Sequence, residues 1–348
     1  MSAETIATIW AFLIATAVFL YVCMDGFDLG IGILFPWIRG RQDRDLAVNT
    51  VAPVWDGNET WLVLGGGGLF AAFPLAYAVV MPAIYMPVIV MLLALIFRGV
   101  SFEMRFRAAT EGQRRWWDRA FSGGSYVAAF AQGIALGALV QGVEVQGRSY
   151  AGGWWDWLSP FSIITAVATV AGYGMLGACW LVWKTEGEMQ DQVKALGRLM
   201  TWLTLGFIAL VSMIVPFLLP QFRARWFDVP AILAALPVPV LVVVLAWLLF
   251  RGLERAGRST PTTSMVWRDA IPFGCALGLF FLAYTGLGIS MWPYVVPPGI
   301  TIWDAASPRS SQLFMLVGAA VLIPIILGYT GYAYYLFRGK VRAGEGYH

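Results

Sequence analysis

Long apolar runs separated by short polar stretches set the pattern of this chain. A membrane crossing needs about 20 apolar residues. By that measure nine spans are predicted, at 7–36, 52–73, 79–104, 122–143, 159–184, 199–220, 230–250, 270–292 and 311–337. No long polar insert, low-complexity tract or internal repeat interrupts them. Residues 1–348 therefore read as a single all-α, polytopic transmembrane domain. The opening MSAETIATIW has no basic segment, and the first run is too long for a cleavable leader, so it is expected to stay as an anchor.

Two of the runs carry acids. In span one, Met24-Asp25-Gly26-Phe27-Asp28-Leu29 sets Asp25 and Asp28 three apart inside apolar sequence, hence on one helical face. Arg39 marks the inner end, which puts the pair roughly 15–20 Å from it at 1.5 Å per residue. Span two enters through Trp55-Asp56-Gly57-Asn58-Glu59-Thr60-Trp61, and Asp56 and Glu59 again share a face. A short hairpin between the spans would bring the two faces together. Ionisable groups at membrane depth are costly and usually face a bundle interior or a water-filled path. Four acids in one crevice cannot all stay charged, and groups that take up and release protons suit a relay. Two plainer readings stay open. Asp56 or Asn58 could cap a helix start, with Trp55 and Trp61 in the interfacial belt. Each Asp of span one could instead be paired with an Arg or bonded to a neighbouring helix.

Other polar positions are less specific. Arg98, followed by Glu103, Arg105 and Arg107, could form a charged cluster at the inner mouth of the bundle. Glu144 is the one other acid expected at depth, beside Gln141, and Gln132 and Gln141 either line a polar seam or bond across helices. Gly65, Gly66, Gly67 and Gly68 are not a phosphate loop, since no Lys-Ser/Thr follows. They read as a packing or interface stripe, as do Gly172, Gly174 and Gly177.

Composition agrees with the membrane reading: 59% of residues are hydrophobic and 12% charged, with mean hydropathy +0.71. A soluble domain carries about twice that charge. With nine spans and the N-terminus outside, 19 of the 23 Lys and Arg fall on inner segments, Arg258 among them. That asymmetry predicts an outside N-terminus and a cytoplasmic C-terminus. Arg39-Gly40, Arg98-Gly99, Arg251-Gly252 and Arg338-Gly339 look like helix-closing pairs, with Arg98 the possible exception. The net charge of +3 is explained by topology and points to no nucleic-acid partner. Cys23, Cys179 and Cys275 have no metal-ligand spacing, and His348 is the only histidine. A redox centre would belong mainly to a partner, and no metal site is expected in this chain.

At this point the residues resemble a known family. Asp25-Gly-Phe-Asp-Leu-Gly30, the Ala-Pro-Val-Trp-Asp-Gly-Asn core within 49–74, Phe97-Arg-Gly-Val-Ser-Phe-Glu103, Trp303-Asp-Ala, Ser311-Gln-Leu313 and VLIPIILGYT at 321–330 are similar to subunit II of the cytochrome bd-type ubiquinol oxidases, most closely its cyanide-insensitive branch. Many relatives carry a histidine where this chain has Val54. The resemblance implies nine helices arranged as two four-helix bundles and one extra helix, in the bacterial cytoplasmic (inner) membrane. It implies a heterodimer with a subunit I that carries haems b558, b595 and d, oxidises ubiquinol or menaquinol and reduces O2 to water. This chain would ligate no haem itself, while some relatives hold a structural quinone, and small accessory subunits and membrane lipid are further expected partners. Carried over residue by residue, Asp25, Asp28, Asp56, Asn58 and Glu59 are candidates for a cytoplasmic proton path, Arg98 and Glu103 for its mouth or support, and Trp55 and Trp61 for packing or belt positions. The alternative from another class is a proton-coupled secondary transporter. Such folds commonly show paired broken helices in two halves, whereas the acids here are confined to the first two spans.

Overall fold

A computed structural model describes residues 1–229, 232, 237–257 and 263–342. Arg258, His348 and most of the start of the seventh expected span (230–231 and 233–236) lie outside the described residues.

Helix α1 runs from Ala3 to Leu34, its start capped by Ser2, whose hydroxyl accepts from the Thr5 amide. Pro36 then turns the chain through a 3-10 segment, Phe35–Trp37. Every residue from Asp25 to Phe35 is buried, so the second half of α1 is a central post enclosed on all sides. A short helix, α2 (Arg41–Asn49), leads to α3 (Trp55–Ala72). α3 ends because Phe73 precedes Pro74, which pushes Phe73 out of the helical region. Next come α4 (Pro74–Ala83) and α5 (Tyr85–Arg107). Pro87 accounts for the break between them, since its ring would clash with the Ala83 carbonyl of a continuous helix. The expected span at 79–104 is thus split at Ile84.

α6 (Glu111–Gln141) is capped by Thr110 and stopped by Gly142 at φ +95. A hairpin of β1 (Val145–Gln146) and β2 (Ser149–Tyr150) follows. α7 (Pro160–Lys184) opens on a reciprocal Ser159/Ser162 capping box. The chain then forms α8 (Gly187–Leu218), α9 (Pro220–Phe227), α10 (Pro237–Arg255) and α11 (Thr263–Met291). A second hairpin, β3 (Tyr294–Val296) with β4 (Ile300–Thr301), precedes α12 (Arg309–Leu336).

Among the described residues, eight helices are long and apolar enough to cross a membrane: α1, α5, α6, α7, α8, α10, α11 and α12. The second expected span is present as a helix, α3, but Asp56, Asn58 and Glu59 in its first turns keep it off that count. α6 and α8 begin well before the predicted spans at 122 and 199, because an apolar ruler does not register polar helical turns outside the lipid. The Arg-Gly pairs are corrected at two places: Arg98-Gly99 lies inside α5 and Arg251-Gly252 inside α10. Both glycines make room for neighbours. Gly99 lies against Trp55, and a Cβ on Gly252 would meet Pro272 of α11 at 2.9 Å.

α1 packs against α3, α6 and α7, while α7 also meets α8 and α11, and α5 lies along α6. The tightest crossing is α1 on α7, where a Cβ on Gly177 would stand 2.6 Å from the Ile31 nitrogen. Only small residues allow backbones that close. α12 lies at the edge, with Phe314, Val317, Val321, Ile325 and Tyr329 exposed. Near its start the Trp10 indole donates to the Gln312 carbonyl (3.0 Å), and the Gln312 amide donates to the Ala72 carbonyl (3.0 Å).

Candidate functional site

Tyr21, Asp25 and Asp28 recur at helical spacing on α1 and form one stripe. Asp25 and Asp28 are both 0% exposed. Facing them, Arg98 of α5 donates from Nη1 to Asp25 Oδ1 at 3.0 Å and holds Nη2 3.8 Å from Asp28 Oδ2. The guanidinium also lies 5.4 Å from the Phe102 ring centroid, and Phe102 stacks on Trp55 at 4.8 Å. Asn58 of α3 donates its amide to Asp28 Oδ2 at 2.8 Å, and its carbonyl oxygen accepts from the Tyr334 hydroxyl of α12 at 2.7 Å. Four helices thus converge on one ionic cluster.

On the other side of Asp25 the polar contacts continue. The Tyr173 hydroxyl of α7 donates to Gln132 Oε1 (2.7 Å), and Gln132 Nε2 of α6 donates to the Tyr21 hydroxyl (2.7 Å). That direction leaves the Tyr21 proton available to Asp25, which lies beside it. Asp25 Oδ2, Asp28 Oδ1 and Arg98 Nε and Nη2 make no hydrogen bond to described residues. One guanidinium against two carboxylates leaves an excess negative charge, and the group becomes neutral only when it also holds one proton. A buried ion pair with open valences is costly unless completed in this way.

The other expected site residues are placed as follows. Glu59 is half-buried and close enough to interact electrostatically with Asp25 and Arg98. Asp56 is exposed and does not join the cluster. Neither Asp56 nor Asn58 caps a helix, since α3 begins one residue earlier than Asp56 and its N-cap, Val54, makes no side-chain bond. Arg98 is fully buried beside Asp25 and Asp28, whereas Glu103 is exposed and pairs with Arg107 at 3.5 Å. Trp61 is buried next to Tyr21 and Ala17 in the interior, away from any interfacial belt. Gly65 and Gly68 pack on Val18 and Ile14 of α1, and Gly66 and Gly67 face open space. Glu144 is exposed beyond the end of α6, and Gln141 donates to the α7 cap at Ser159 (2.8 Å), so neither lines the seam.

The sequence reading placed Arg105 in a charged cluster but missed its acidic partners, and it missed a second ionic group altogether. Buried Arg105 donates to Asp118 (3.0 Å) and Asp45 (2.9 Å), Arg114 also pairs with Asp45, and Arg44 approaches Asp118 at 3.7 Å. Lys340, just beyond α12, pairs with buried Asp269 of α11 at 2.6 Å and donates to the Thr185 carbonyl at 2.8 Å. Asp45 inside the run RQDRD and Asp269 at the edge of an apolar run were the available signals.

Haem iron takes His, Met or Cys axial ligands. The one histidine is residue 348, the three cysteines are buried in helix packing, and Met91, Met175 and Met189 are core residues. Among the described residues no group of three or more His, Cys, Asp or Glu could hold a metal.

Comparison with known proteins gives a consistent answer. Residues 6–337 match the family model described as cytochrome bd terminal oxidase subunit II. The chain is 30% identical to cytochrome bd-I ubiquinol oxidase subunit 2 of Escherichia coli strain K12, over 97% of this chain and 96% of that one. It is 25% identical to cytochrome bd ubiquinol oxidase subunit 2 of Bacillus subtilis strain 168, over 97% of both. Among solved structures, the bd oxidase from Geobacillus thermodenitrificans superposes with a TM-score of 0.70 at 20% identity, over 96% of this chain and 98% of that one.

Proposed function

The chain belongs to the cytochrome bd terminal oxidase subunit II family, and on that premise we propose that it supplies a proton path to a haem-bearing partner. A multi-pass subunit of a quinol oxidase, it works within a complex whose haems, in this reading, are held by the partner. The proposed partner is a subunit I that carries haems b558, b595 and d, oxidises quinol and reduces O2 to water. In the proposed arrangement α3 completes nine spans, in two four-helix bundles and one extra helix. The N-terminus lies outside and the arginine-rich ends of α5, α6 and α10 face the cytoplasm.

The observation that carries the reading is the buried Asp25–Arg98–Asp28 cluster. Ionisable residues that face a bundle interior are costly in a membrane and mark ion pathways and proton relays. Glu59 stands at the edge of the cluster and is the entry group. Asn58 and Arg98 hold Asp28 and Asp25 in place, and the open carboxylate oxygens accept and pass the proton. A transporter reading has no supporting feature, since the acids lie on two adjacent helices and the family is an oxidase.

Replacing Asp25 or Asp28 by Asn keeps the shape and removes the acid. The expected result is a loss of quinol oxidase turnover of at least about a hundredfold, the scale of a positioned acid–base group, with haem spectra intact. Loss of the haem spectra together with the complex would instead make the cluster a structural clamp and sink the relay.

A further inference from the structure

Between the segment after α1 and the first turns of α6 lies a cleft of about 350 Å³, lined by Phe35, Pro36, Arg44, Arg115, Asp118, Arg119 and Ser122. Its volume falls at the lower end of the ~300–1,000 Å³ usual for ligand sites. Three arginines face one acid, and that acid is already engaged: Asp118 accepts from Arg105 at 3.0 Å. Among the described residues Arg115 bonds only the Glu111 carbonyl of its own helix (3.3 Å), and Arg119 makes no ion pair. The two stand one turn apart on α6, so both guanidinium groups reach the same space. Below them the floor is apolar, with Arg44 over the Phe35 ring at 5.6 Å. Ser122, 7% exposed, adds a hydroxyl to the wall one turn deeper.

A neighbouring cleft of about 270 Å³ shares Arg44, Arg115 and Asp118 but differs in its charge balance. There Arg41 pairs with Glu111 and both Arg105 and Arg114 pair with Asp45, so beyond those pairs it holds only the shared Arg44 and Arg115. Arg119 lines the first cleft and not the second, so only there do Arg115 and Arg119 face one space. Guanidinium forks match phosphate oxygens bidentately. Depth identifies the source of the phosphate. Trp116, one residue after Arg115, is 53% exposed, and Trp37, next to the Phe35-Pro36 floor, is 49% exposed. Exposed tryptophans of this kind sit at headgroup level.

We propose that this cleft binds the phosphate of an anionic phospholipid, with Arg115 and Arg119 gripping the headgroup, Arg44 and Ser122 completing its ligands, and the glycerol resting on Phe35 and Pro36. The assignment rests on the membrane placement of α6 and does not require the proton path. Basic pockets between helices at this level are suited to such lipids.

The test uses the assembled oxidase, stripped of lipid in detergent and titrated with fluorescent phosphatidylglycerol and phosphatidylcholine. Wild type is expected to prefer phosphatidylglycerol, and R115A/R119A to bind it about thirtyfold more weakly, at about fivefold per arginine near the surface. R115K/R119K, which keeps the charge without the fork, restores part of the affinity. R251A/R338A removes two exposed arginines elsewhere and is expected to leave binding unchanged. Equal binding by R115A/R119A and wild type, or an equal loss in R251A/R338A, overturns the site. Displacement of the fluorescent lipid by millimolar inorganic phosphate, with no preference between the two lipids, overturns the lipid as its source.

Discussion

Arg98 stands with its guanidinium between two carboxylates of α1 and beside the Phe102 ring, with no exposed surface. Truncation to Ala would leave both acids buried without a cation. Losing one partner of a buried pair costs about 3–5 kcal/mol. R98A is therefore expected to lower the thermal midpoint of the purified complex clearly, while R98K keeps the charge and recovers part of the loss. Heat-induced aggregation, followed by size-exclusion chromatography, checks both. Asp25 and Asp28 were legible in the sequence because apolar residues flank them on both sides. The depth of Arg98 was not, since the glycine after it looked like a helix end. Tyr21, Tyr173 and Tyr334 were also illegible as site residues. A tyrosine in an apolar run fits packing equally well, and only the meeting of α1, α3, α6, α7 and α12 gives these hydroxyls their partners.

Two contacts govern how the helices are held. Gly30 and Gly177 let α1 and α7 cross with their backbones in contact. G177L has no room at that crossing and is expected to abolish assembly, read as absence of the complex from membranes, whereas the same change at Gly66, which faces open space, leaves the yield unchanged. The second contact fastens α12, whose long apolar face touches little of this chain. Its far end is tied down by Lys340 on Asp269 and by Lys184, which donates to the Phe337 carbonyl at 2.6 Å. Among the described residues, K340A leaves buried Asp269 with only the Gln190 amide (3.1 Å) and the Gly257 amide (3.2 Å). Faster trypsin cleavage at Arg338 is the expected outcome, measured by mass spectrometry of the released peptide. Apolar length made the long helices readable. The polar first turns of α6 and α8, and the short α2 and α4, were not, because capping and proline sterics set their limits.

At the scale of the molecule, the proposed orientation can be checked directly. The native cysteines are all buried, so single introduced thiols report cleanly. G147C, in the turn between β1 and β2, should react with a membrane-impermeant maleimide on intact cells. Q113C, in the first turn of α6, should react only after the cells are opened. The reverse pattern would turn the topology over. Charge asymmetry along the sequence carries this expectation, while the side-by-side arrangement of the helices depends on contacts no single run encodes. Gln132 has a consequence for the same question. A tyrosine hydroxyl can accept one proton while releasing another, but an amide keeps its hydrogens on nitrogen. On the proposed path, a string that reads Tyr173, Gln132, Tyr21 would therefore carry a proton no further than Tyr21. Gln132 is then, on that path, the link at which proton transfer would stop.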